Sequence, residues 1–88
     1  MFNNLEKQLI IKMVRSSYWG NRMINKSDLI TAVPKHLRKK AKQSIENLLK
    51  KGFFNKKPGT KSEFRYSLSL KRKYEIDKLM FNYYTLNE

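Results

Sequence analysis

The chain has 88 residues, 40% of them hydrophobic, no cysteine, and a formal net charge of +13. That length suits one domain with a core of modest stability, and the missing cysteine excludes disulfide staples, thiolate metal sites and a cysteine nucleophile. No apolar run approaches membrane-spanning length, and Glu6 and Lys7 interrupt any signal-like stretch near the start, so a soluble, cytoplasmic protein is expected.

Residues 3–19 read as a first helix, with Leu5, Leu9 and Met13 flanked by Ile10 and Val14 in one apolar stripe. Asn3 or Asn4 is its expected cap, and Gly20-Asn21 its stop. Arg22-Met23-Ile24 is too short to stand alone and is expected to add a strand to a small sheet. A short helix from Lys26 to about Ala32 should follow, with Asn25 as cap, Asp28 near its positive end, and Leu29 and Ile30 buried. Val33-Pro34 ends it, because proline disfavours helical backbone at the residue before it.

A third helix is predicted from about Lys35 to Lys51, starting anywhere between Pro34 and Leu37 because no small polar cap precedes it. Leu37, Ala41, Ser44, Ile45 and Leu48 share one side; Lys39, Gln43, Glu46 and Lys50 lie opposite. Gly52 stands where a left-handed end cap is wanted. Phe53–Lys57 and Phe64–Leu70 then read as a hairpin, the second run placing Phe64, Tyr66, Leu68 and Leu70 on one face and Arg65, Ser67 and Ser69 on the other. The turn-forming loop Lys57–Glu63 joins them. A last helix, about 71–84, carries Tyr74, Asp77/Lys78 and Phe81 at helical spacing.

Charge is unevenly distributed over these elements. Residues 1–33 sum to +3, 34–60 to +8, 61–73 to +4, and the last fifteen to −2. Nine basic residues fall between Pro34 and Thr60 against one acid, Glu46. Exposed helices usually mix their signs, and self-repulsion on this scale is offset by a polyanionic partner. Nucleic acid is the expected partner, ahead of an anionic membrane surface, for which the basic helix lacks aromatic anchors.

The order helix, short strand, helix, tight turn, basic helix, strand, loop, strand resembles the winged helix-turn-helix family over roughly residues 4–70. The resemblance is carried by Asn25-Lys26-Ser27-Asp28-Leu29-Ile30, by Ile45-Glu46-Asn47-Leu48-Leu49-Lys50-Lys51-Gly52-Phe53-Phe54, and by the Pro58–Glu63 loop before Phe64-Arg65-Tyr66-Ser67-Leu68. It implies an α+β, mainly α, single domain over residues 1–88, of the small prokaryotic or archaeal type. A three-helix core and a two- to three-stranded antiparallel wing sheet are expected, with a C-terminal helix added. In that family the third helix usually enters the major groove and the wing lies on the backbone or in the minor groove. Carried over by position, the groove-facing residues are Lys35, His36, Lys39, Gln43 and Lys40. Arg38 and Lys42 flank them toward phosphates, and Lys56, Lys57, Lys61 and Arg65 belong to the wing. Val33-Pro34-Lys35 departs from the small polar residue that often caps the recognition helix, which affects the docking register. A nucleoid-associated, double-stranded DNA-binding transcription regulator is the function implied.

Individual residues have plainer readings too. Gln43 reads equally as an adenine-reading amide or as a helix residue facing water. His36 has no partner at ligand spacing, which favours a phosphate contact or turn packing over a metal. Tyr18, Trp19, Phe53 and Phe54 read as core rather than a base-stacking platform. Tyr74, Met80, Phe81, Tyr83 and Tyr84 are more aromatic and apolar bulk than one short helix can bury, so they form a candidate homodimer surface. No glycine-rich phosphate loop, paired carboxylates or nucleophile–histidine pair is present, so neither catalysis, a cofactor nor a small-molecule ligand is expected. RNA binding, ribosome-associated or in RNA processing, is the rival function, and a protein–protein adaptor the third.

Overall fold

The computed structural model describes residues 2–59 and 63–86. It is α+β and mainly helical. Helix α1 spans Asn4–Arg15, strand β1 Ile24–Asn25, helix α2 Lys26–Thr31, helix α3 Arg38–Lys50, strand β2 Phe54–Pro58, strand β3 Phe64–Leu68 and helix α4 Lys73–Leu86. Single 3-10 turns over Lys35–Leu37 and Leu70–Arg72 lead into α3 and α4. The three strands form one antiparallel sheet in the order β1-β3-β2.

Asn3 starts α1 through a reciprocal cap: its side chain accepts the Glu6 amide and Glu6 accepts the Asn3 amide, both at 2.8 Å. The helix ends at Arg15, four residues short of expectation. Ser17 takes a left-handed φ of 59°, and the amides of Ser17 and Tyr18 bond back to Val14 and Met13. This is a glycine-type helix end built on serine, and a serine there gives little warning in the sequence. The reversal lets Tyr18 and Gly20 hydrogen-bond both sides of Leu68, extending the edge of the sheet beside β3.

The core gathers Leu9, Ile10 and Met13 of α1, Leu29 and Ile30 of α2, Ala41, Ile45 and Leu48 of α3, and Phe54, Tyr66 and Leu68 of the hairpin. Tyr18, Trp19 and Phe53 pack half-buried against it. The hairpin departs from the alternation in its sequence. Ser67 and Ser69, expected outside, are buried: the Ser67 hydroxyl donates to the Gly20 carbonyl at 2.7 Å, and the Asn55 amide donates to Ser67 at 3.1 Å. Leu70, expected with Tyr66 and Leu68, has left the strand and is exposed.

Helix α4 rests on α1. Its inward residues are Ile76 and Met80, with Leu79 and Tyr83 half-buried. The spacing Tyr74, Asp77/Lys78, Phe81 therefore marks the outward face. Of the five candidate pairing residues, Met80 is buried and Tyr83 is half-buried against the Arg15 guanidinium and Tyr84. Tyr74, Phe81 and Tyr84 remain exposed. No helix among the described residues is long and apolar enough to cross a membrane.

Candidate nucleic-acid interface

Helix α3 is held at its C-terminal end and along one side. Ala41, Ile45 and Leu48 are fully buried and Ser44 nearly so, which places Lys39, Lys42, Gln43, Glu46 and Lys50 on the exposed side. At its C-terminus the amides of Gly52 and Phe53 bond back to Leu49 and Leu48, with Gly52 at φ +83°. The next anchor is ionic: Lys51 Nζ reaches both carboxylate oxygens of Glu6, at 3.2 and 3.3 Å, while Glu6 is 1% exposed. At the N-terminus the chain enters through the 3-10 turn, and Leu37 makes no side-chain cap. The α-helix proper thus begins at Arg38, one residue beyond the Pro34–Leu37 range expected, because the 3-10 turn takes up Lys35–Leu37.

The cations divide into groups. Lys35, His36, Lys39, Lys40, Lys42 and Gln43 are exposed along the turn and α3. Gln43 donates its amide to Asn47 at 3.2 Å, so reading adenine with both amide groups would require sharing that bond. Arg38 stands apart: it is half-buried, and its Nε is buried with no hydrogen-bond partner among the described residues. In the hairpin, Lys57 pairs directly with Arg65, and Lys56 with Tyr66. Strand alternation puts Lys57 and Arg65 on one face, and Lys56 on the other with Tyr66 and Phe64. The hairpin cations therefore do not serve a single surface. Lys61 lies outside the described residues.

Two clefts meet on the basic side. One, of about 620 Å³, is bounded by Lys26, Lys39, Lys40, Lys42, Gln43 and Glu46. The other, of about 550 Å³, lies between α2, α3 and the foot of β3, with Lys26, Lys42, Glu63 and Phe64 among its walls. Lys26 and Lys42 border both. Lys26 was not among the residues singled out from the sequence, because only the packing of α2 on α3 carries it to this surface. Its one available signal was a cation opening a helix in the resemblance-bearing segment.

No family model, curated protein or solved structure matches the chain.

Two carboxylates interrupt the positive field. Glu46 lies on α3 among the lysines, and it adds to burial, the larger effect, in raising the Tyr66 phenol above its ordinary pKa. Glu63 accepts the Ser27 amide at the start of α2. Asn25 occupies the cap position of that helix without a side-chain capping bond, so the expected asparagine cap is replaced by a carboxylate from the hairpin. No group of three or more potential metal ligands occurs among the described residues.

Proposed function

We propose that the chain is a nucleic-acid-binding protein of winged helix-turn-helix design, binding duplex DNA as a small transcription regulator. Helix α3 faces the major groove and the hairpin lies along the backbone. The observation that carries this reading is the mounting of α3: Lys39 and Lys42 project from a helix whose opposite side is fully buried at Ala41, Ile45 and Leu48. Cations fixed this way lose less freedom on meeting phosphates than cations on a disordered tail. Lys57 opposite Arg65 supports it as well, since like charges facing each other across a strand pair destabilise the sheet and a phosphate between them relieves the repulsion. Glu75 and Asp77 of the acidic end lie on α4, which packs on α1.

Anisotropy titration of a labelled duplex across salt concentrations tests the proposal. Neutralising about six phosphates gives a slope of log affinity on log salt near −5, and a slope near zero ends the reading. Competition by structured RNA at matched salt decides between DNA and RNA. Pairing of two copies through exposed Tyr74, Phe81 and Tyr84 is a second part of the proposal. A single monomeric boundary in sedimentation velocity at high micromolar concentration removes that part.

A further inference from the structure

We propose that the cleft between α2, α3 and the foot of β3 receives one unpaired nucleobase, stacked on Phe64, with its phosphate between Lys26 and Lys42. The inference rests on the nucleic-acid reading and specifies which structural feature of the nucleic acid that site selects.

Phe64 is the starting point. It belongs to the face of β3 that carries buried Tyr66 and Leu68, but it lies past the end of the core and is 40% exposed. A phenyl ring at a basic surface has no hydrogen bond to offer a phosphate or a base edge. What it offers is a flat apolar face. Lys56 Nζ lies over one face of the ring, 4.2 Å from its centroid, a cation–π contact that leaves the opposite face for a base. Phe64 also walls the cleft, together with Ile30, Thr31, Glu63 and the two lysines. The volume, about 550 Å³, falls within the range of about 300–1,000 Å³ that holds small organic ligands.

Ile30, the Phe64 ring and the two lysines together match a nucleotide, with the base on the ring and the phosphate on the lysines, on the side of the cleft away from the Glu63 carboxylate. A base inside a continuous duplex has both faces covered by its neighbours and cannot use the ring. A bulged base, or one at the junction of single and double strands, exposes a face and can be splayed into a pocket. Stacking of one base on an aromatic side chain contributes about 1–3 kcal/mol, which corresponds to roughly 5- to 150-fold in affinity.

The test compares a fully paired duplex with the same duplex carrying a single-nucleotide bulge of 2-aminopurine, at one salt concentration. The wild-type chain is expected to bind the bulged duplex on the order of tenfold more tightly and to quench the 2-aminopurine fluorescence as the base stacks. The ratio of the two affinities should fall toward one in Phe64→Leu, which keeps apolar bulk without a ring, and persist in Phe64→Tyr. Equal wild-type affinity for the two duplexes, with both binding in a salt-dependent manner, overturns the inference and leaves the nucleic-acid reading intact. A bulge preference that survives in folded Phe64→Leu also overturns it. Binding to neither duplex overturns both readings together. Should Phe64→Leu fail to fold, the wild-type ratio and quenching decide the matter alone.

Discussion

Lys51, the residue that closes α3, holds Glu6 of the first turn of α1 at 3.2 Å across 45 residues of sequence. The pair is asymmetric: the Glu6 side chain is 2% exposed and that of Lys51 38%. Glu6 therefore depends on its partners more than Lys51 does, because a buried carboxylate without donors keeps its desolvation penalty. The same carboxylate caps α1 through the Asn3 amide. One buried acid thus fixes the start of one helix and the end of another.

Replacing Lys51 by Met keeps the apolar stem and removes the charge. We expect a loss of about 1–2 kcal/mol in urea unfolding, below the cost of breaking a fully buried pair because the ammonium is partly solvated. Glu6→Gln, which retains an acceptor for the Asn3 amide, should cost less than Glu6→Ala. Equal losses for Gln and Ala would show that the bond to the Asn3 amide contributes little beside the ion pair.

Gly52→Ala places a side chain at φ +83°, with its Cβ 3.3 Å from Arg72 Nη2. The arginine end can move, so backbone strain sets the cost, about 1–2 kcal/mol. A thermal melt unchanged from wild type would mean that the turn after α3 adopts another conformation at no cost.

Tyr66 provides a pH test. Its phenol is raised above the ordinary value of 10.0, by burial first and by Glu46 second. The folded state thus holds the proton more tightly than the unfolded state. The contribution is fully present below pH 10.0 and is lost as pH rises through the higher folded value. Tyr66→Phe should lessen the fall in stability above that pH relative to wild type. Parallel alkaline unfolding curves for the two proteins would contradict it.

The phosphate contacts can be counted one at a time. Lys39→Gln and Lys42→Gln should each reduce the magnitude of the salt slope by about one. Lys78→Gln, on the exposed side of α4, should leave the slope where it is. A slope that drops equally for Lys78 would mean that binding follows net charge and not the α3 face.

The helices were legible where apolar spacing and a local stop coincide. Leu29 and Ile30, the stripe from Ala41 to Leu48, and the end at Gly52 all lie where the sequence placed them, because helical periodicity and a left-handed glycine are local properties. So too was the hairpin, expected as Phe53–Lys57 with Phe64–Leu70 and found as Phe54–Pro58 paired with Phe64–Leu68. The same helical period places Lys39 and Lys50 on the exposed side of α3.

Other features depended on segments distant in sequence meeting in the fold. Ser67 is buried because Gly20 arrives to accept its hydroxyl, and alternation along one strand contains no information about that neighbour. Tyr74 and Phe81 face outward, at 77% and 69% exposure, because Ile76 and Met80 fill the contact side of α4 instead. Lys26 and Phe64 share a cleft only because α2 packs on α3 and β3 returns beside it. Local backbone preference and side-chain period are properties of a few neighbouring residues, whereas burial, pairing and the shape of a binding surface are set by which segments the core brings into contact.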